Sequence, residues 1–237
     1  MYFATINGST ISFMKRQEIC VKKKCLLLFL VFVTIVLSHT VVMADQRDIT
    51  LPRRPSTVGM DLFSALEKRK TTREYTPARL TPQDLSAVLW AANGVNRPYE
   101  YRTAPSAFGN TYMDIYVAAD EGVYLYDASK HRLKLVTATN AKGLLSGQRH
   151  VAGASHVLVL VADMEKLPSV MVSEETRVHW AHATAGAIAQ NVYLACAARR
   201  IGTCFVGGVK EKEIRSALSL PEKVIPLYLM PLGYEKK

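Results

Sequence analysis

Beyond residue 58 the apolar positions twice fall into a helical rhythm. From Met60 to Lys68, Leu62, Phe63 and Leu66 share one stripe, the three-and-four spacing of an amphipathic helix. A second helix is announced by Thr81 as N-cap, Pro82 at its first position and Asp84 at its third. Leu85, Val88, Leu89 and Ala92 supply its apolar face, and Gly94 ends it. The rhythm then changes to that of strands. Ile115 to Ala119, Val123 to Tyr126 and the alternating Leu133-Lys134-Leu135 are separated by Asp120-Glu121-Gly122 and by Asp127 to Lys130, the layout of an antiparallel meander. Val157 to Val161 is apolar throughout, as a strand covered on both faces is.

Glu174 to Arg200 contains no proline and carries eight alanines between Ala181 and Ala198, with Gly202 as the expected stop. A helix with small side chains on nearly every face can approach its neighbours closely, so this one is expected to be central. Cys204-Phe205-Val206 reads as a strand and Glu211 to Leu218 as a helix. Ile225 to Met230 reads as a last strand, which Pro226 places towards an edge. Helices and hairpins are mixed without βαβ alternation, which predicts one α+β domain over residues 59–237.

The N-terminal region follows a different logic. A basic stretch from Lys15 to Lys24 precedes an apolar run from Leu26 to Leu37, and Val42 and Ala44 stand at the small-residue positions of a cleavage site. Those are the three parts of a secretory signal peptide, so residues 1–44 read as a leader removed on export to the periplasm or the outside of the cell. The alternative is an uncleaved membrane anchor. The strongly apolar run is shorter than the ~20 residues that span a bilayer. Residues 45–58, with Pro52 and Pro55, read as an extended arm.

Composition narrows the field. With 49% hydrophobic and 21% charged residues the chain is an ordinary globular protein rather than a disordered one. The formal charge is +10, but +4 of it lies in the leader, leaving a mildly basic domain that favours anionic ligands. Without an arginine-rich run or zinc-ligand spacing, nucleic acid is not an expected partner. Of four cysteines two fall in the leader, and Cys196 and Cys204 sit in apolar surroundings typical of buried free thiols, although export permits a disulfide. Glu175, His179 and His182 share a helical face but match no zinc signature, so no metal is expected. A G-x-S-x-G nucleophile elbow and a G-x-G-x-x-G dinucleotide fingerprint are both missing.

Three segments carry candidate chemistry. Arg69-Lys70-Thr71-Thr72-Arg73 places three cations and two hydroxyls in five residues, a set suited to phosphate oxygens and equally found at a solvated helix end. Arg102-Thr103-Ala104-Pro105-Ser106-Ala107 is a small-residue loop that would let backbone groups approach a flat ligand. Gly202-Thr203-Cys204-Phe205-Val206-Gly207-Gly208 ends in paired glycines, which suggest close backbone approach.

In this order and at these spacings, together with Leu89 to Pro98, Leu218 to Glu222 and Met230 to Tyr234, the segments resemble the nitroreductase family of FMN flavoproteins. The nearest branch holds azoline-oxidising dehydrogenases of peptide natural-product pathways. The resemblance implies a homodimer with FMN in the interface and the alanine-rich helix at its centre. It implies that Arg69, Lys70, Thr71 and Arg73 hold the phosphate, ribityl and pyrimidine edge. Pro105, Ser106 and Ala107 would line the ring from the other subunit, with Gly207 and Gly208 near the reactive edge. No catalytic side chain is then needed, because the flavin carries the chemistry in a ping-pong exchange between a small-molecule donor and acceptor. Family members often add cations to the phosphate from beyond the Gly-Tyr pair. Here Glu235-Lys236-Lys237 follows it, so that clamp is expected to be reduced or replaced by Arg102. The alternatives are a non-enzymatic anion-binding module on the same fold and an azoline dehydrogenase acting on a peptide.

Overall fold

The computed structural model describes residues 48–53, 60–168 and 172–236, so the leader and most of the arm lie outside the described residues. Among those residues a seven-stranded sheet is ordered β1-β6-β5-β4-β7-β9-β8, and every neighbouring pair is antiparallel. Its strands are β1 (Asp48–Thr50), β4 (Met113–Ala119), β5 (Gly122–Asp127), β6 (Arg132–Thr137), β7 (His156–Asp163), β8 (Ile201–Thr203) and β9 (Val224–Tyr234). A small hairpin of β2 (Val95–Arg97) and β3 (Tyr101–Arg102) stands apart. The meander is as expected, and the described end of the arm joins it as a strand on β6.

Helices cover both faces. On one side pack α1 (Leu62–Lys68), α2 (Pro82–Asn93) and the long α5 (Glu174–Arg199), and on the other α3 (Lys142–Leu145), α4 (Arg149–Ala152) and α6 (Glu211–Leu218). β7 shows why its apolar run has no polar gaps. Leu158, Leu160 and Ala162 enter the core shared with α2 and α5, while Val157, Val159 and Val161 enter the core on the opposite face. With neighbours on both sides and layers above and below, every residue from His156 to Ala162 is buried.

α2 begins as the sequence implies: the Thr81 side chain accepts from the Asp84 N–H at 3.1 Å, and Pro82 occupies the first turn. Asp84 also holds the fold together. It binds Arg199 at 2.5 Å near the end of α5 and accepts a short hydrogen bond from the Tyr234 hydroxyl at the end of β9. Burial alone would raise its pKa, but the bonds from Tyr234, Thr81 and Arg199 outweigh that and hold the carboxyl below its ordinary value.

Three expectations are corrected. α5 ends at Arg200, which takes the left-handed conformation (φ 58°), and Gly202 lies inside β8 rather than stopping the helix. The strand placed at Cys204–Val206 is β8 at Ile201–Thr203, with only an isolated bridge from Val206 to Leu229. The last strand is longer than expected and lies inside the sheet, between β7 and β8. Pro226 is tolerated because β8 pairs only with residues 232–234, and the register against β7 shifts beside it. α5 is central as expected, burying Ala181, Ala185, Ile188, Ala189, Val192 and Cys196 along one stripe. Cys196 and Cys204 are buried free thiols.

Candidate functional site

The cationic segment Arg69–Arg73 leaves the end of α1 and runs beside β8. Thr72 donates its N–H to the Thr203 carbonyl at 2.8 Å, and its Oγ1 to Glu235 at 3.0 Å. The close approach is made at Gly202: a Cβ there would lie 2.7 Å from Thr72 Cγ2 and 3.0 Å from Thr72 Cβ. Gly233 does the same against Tyr75, where a Cβ would meet the side chain at 2.7 Å. The small residues that seat the cationic loop are therefore these two glycines.

Tyr193, on α5, joins the parts. Its hydroxyl accepts the Phe205 N–H at 2.8 Å and lies 3.1 Å from Thr71 Oγ1, while Arg69 sits over its ring at 5.3 Å. Among the described residues neither Arg69 nor Arg73 has a carboxylate partner. Lys70 does: it pairs with Glu235 at 3.0 Å, and Glu235 itself bridges to Tyr75. The chain after the Gly-Tyr pair thus brings a carboxylate to the cationic loop.

The paired glycines close the same region. Ser146 donates to the Gly208 carbonyl at 2.7 Å, and a Cβ at Gly208 would lie 3.0 Å from Gln148 Nε2. At Gly207 a Cβ would meet only the Tyr228 ring, at an ordinary 3.7 Å. Tyr228 stacks on Phe205 with ring centroids 4.2 Å apart and bonds His182 Nδ1 at 3.0 Å. His150 Nε2 lies 3.4 Å from Cys204 Sγ. Burial, with a smaller push from Arg73, lowers the pKa of His150. Burial raises that of the Cys204 thiol against the opposing effects of Tyr75 and Arg73, so both groups are held neutral.

Tyr193 of α5 thus meets Arg69 and Thr71 of the cationic loop and Phe205 of the segment that leads to Gly207 and Gly208. Lys70 pairs with Glu235, and Arg73 lies near His150 and Cys204. Pro105, Ser106 and Ala107 are elsewhere, lining a cavity of about 320 Å³ with Trp180, Ala183 and Thr184. Trp180 and Tyr193 are 13 positions apart on α5, which at the helical rise is roughly 20 Å, and they point to different sides. Arg102 belongs to neither group. Its guanidinium is mostly buried, reaches the Asn93 carbonyl at 3.4 Å and Glu100 at 3.8 Å, and leaves Nε buried without a partner among the described residues. Sequence reasoning did not single out Tyr193, Tyr228 or Glu235. Tyr193 had a signal, since it is a large polar aromatic in a helix of small residues. Tyr228 and Glu235 had none, being brought here only by the path of β9.

The fold and this gathering define an α+β protein with an antiparallel sheet, a long central helix and a cationic loop seated on β8. The nitroreductase family model matches residues 66–234. A provisionally named nitroreductase of Methanocaldococcus jannaschii is 35% identical over 202 residues, covering 81% of this chain and 98% of that protein. A crystal structure of a provisionally assigned nitroreductase from Ralstonia eutropha JMP134 superposes with a TM-score of 0.75 at 36% identity, covering 81% of this chain and 91% of that one. A second such structure, from Anabaena variabilis, shares the fold with a TM-score of 0.67 at 23% identity, over 80% of this chain and 42% of its own. The chain belongs to the nitroreductase family and is an oxidoreductase by that membership.

Proposed function

We propose that this chain is an exported, FMN-dependent oxidoreductase that acts as a homodimer on a small organic acceptor, nitroaromatic, quinone-like or unsaturated. The observation that carries this is the division of the site-forming segments between two faces of α5: the cationic loop meets Tyr193, while Pro105, Ser106 and Ala107 share a cavity with Trp180, Ala183 and Thr184. Within one chain these two faces look away from each other; a two-fold axis perpendicular to α5, which reverses the helix direction, brings one chain's cationic loop towards its partner's Pro105–Ala107. The exposed apolar stripe of α1 (Leu62, Phe63 and Leu66) and the open surface at Gly186 of α5 give a second copy a surface to cover.

The residues present suit the cofactor. Arg69 and Arg73 hold uncompensated guanidinium groups for a phosphate, and Thr71 adds a hydroxyl beside them. Lys70 serves the polar edge while partly neutralised by Glu235. Backbone N–H groups of the Gly207–Gly208 loop orient the reactive edge, and Pro105, Ser106 and Ala107 of the partner subunit cover the ring. FMN, when bound, supplies two-electron transfer by a ping-pong exchange. The chain contributes position, exclusion of water and charge. Export rests on the basic stretch, the apolar run and the Val42-x-Ala44 site, and it sets the nicotinamide donor usual in the family in question.

The test is an absorbance spectrum of the purified protein after incubation with FMN and gel filtration. Flavin bands co-eluting with a dimer are expected. A colourless protein would sink the cofactor assignment and favour an anion-binding module on the same fold.

A further inference from the structure

At the β4–β5 turn lies a second cavity, of about 330 Å³, that shares no lining residue with the cationic loop or the Gly207–Gly208 loop. Its walls are apolar: Leu51, Leu85 of α2, Val117 and Ala119 of β4, and Leu133 of β6. The Arg79–Glu121 ion pair, more than one third exposed at both ends, also lines it. Two polar side chains look onto this apolar space although they are almost fully buried, His156 at 5% exposure and Tyr124 at 6%.

The hydrogen bonds of His156 fix which nitrogen carries its proton. Ser155 Oγ accepts the Leu80 N–H at 2.9 Å, and His156 Nδ1 lies 2.9 Å from the same oxygen. No other acceptor for that hydroxyl proton stands among the described residues, so it is donated to Nδ1. Burial pushes the His156 pKa down to about 4, which keeps the ring neutral, so its single proton is on Nε2. The charged groups around the ring are Glu121, Arg79, Lys142 and Asp120. Lys142 is already held by Asp120 at 2.7 Å and the Ala154 carbonyl at 2.8 Å. Neither His156 Nε2 nor the Tyr124 hydroxyl has a hydrogen-bond partner among the described residues, and both atoms remain accessible from the cavity, where a ligand can accept from them.

We propose that this cavity is a second ligand site, for a small carboxylic acid with an apolar body. Its carboxylate accepts from His156 Nε2–H and the Tyr124 hydroxyl, and Arg79, whose charge Glu121 already meets, offers it further N–H donors. A guanidinium presents five N–H donors, so Arg79 can serve Glu121 and a ligand together. The volume is at the low end for ligand pockets, which selects a short chain or single ring rather than a cofactor. The site stands independently of the flavin assignment.

Octanoate is the probe, titrated calorimetrically into the purified full chain, with octanol as the control that lacks the carboxylate. Saturable binding of one octanoate per chain is expected, with a Kd of about 1 mM or tighter. Octanol should bind at least ~10-fold more weakly. Ala119→Leu, which fills the space, should abolish binding, and His156→Phe should weaken it about tenfold. Nitrogen NMR of the unsubstituted protein needs no variant: the His156 Nε2 resonance should move on saturation. An absent saturable heat, an unmoved His156 resonance, octanol binding as tightly as octanoate, or full affinity in Ala119→Leu would each overturn the proposal.

Discussion

α1 and α2 are written in the same pattern and have opposite fates. Each has a side-chain cap, Asp61 for α1 and Thr81 for α2, and each has an apolar stripe. Yet α2 buries eight of its residues, whereas α1 buries only Ala65 and leaves Leu62 58%, Phe63 80% and Leu66 43% exposed. The difference is what lies opposite. α2 lies in the core with α5 and the sheet, while α1 turns its stripe outward, beside a cavity of about 450 Å³ that also touches α2 and α5. A hydrophobic period says that a face will be covered, not by which surface. On α2 the cover is the same chain, and on α1 the stripe stands open among the described residues.

Substitutions can sharpen this contrast. Leu89→Ala on α2 should lower stability most, by about 3–4 kcal/mol, because a fully buried side chain leaves a cavity. Denaturant unfolding would show it, with the oligomeric state unchanged. Asp84→Ala should cost about 3 kcal/mol by leaving Arg199 without its carboxylate. Because the folded pKa of Asp84 is depressed, its contribution is complete above the unfolded value and is lost as pH falls through the folded one. A unfolding series down through acid pH checks both statements. His156 acts earlier in the same series. Its pKa falls from 6.5 to about 4 on folding, so stability is full above pH 6.5 and declines by about 2–3 kcal/mol as pH drops towards 4. That decline should vanish in His156→Gln.

Gly202→Ala should cost about 1–3 kcal/mol, since the new methyl group must displace Thr72. It should also loosen FMN binding by moving the cationic loop, as a fluorescence titration would reveal. Phe63→Glu should change protomer stability least, by about 0.5 kcal/mol or less, because the position is exposed. Its effect belongs to association: sedimentation should show dimer giving way to monomer. A dimer as stable as the unsubstituted protein's would refute the assignment of α1 to the interface.

Much of the fold was legible because its signals are local. Thr81-Pro82, the Asp120-Glu121-Gly122 turn and the uninterrupted Val157–Val161 run each determine a backbone path over a few residues, and each is found where expected. The cationic segment and the paired glycines were legible as chemistry for the same reason. A lone glycine or proline was uneven evidence: Gly94 caps α2 as expected, but two other such residues misled. Gly202 marked a close approach to Thr72 rather than a helix stop, and Pro226 marked a gap in β8 pairing rather than a sheet edge. In both cases the partner that gives the residue its meaning lies far away along the chain.

By itself, then, the amino-acid order determined the α+β class, the antiparallel meander, the central alanine-rich helix and the residue types able to hold an anion. Only the tertiary structure decided that Tyr193 and Glu235 meet the cationic loop, that Pro105–Ala107 lies apart from it along α5, and that His156 and Tyr124 look into a cavity at the β4–β5 turn. The reason is the range of the forces. Caps, turns and periodicity act within a few residues, whereas a site is a convergence of distant segments, set by how sheet and helices pack.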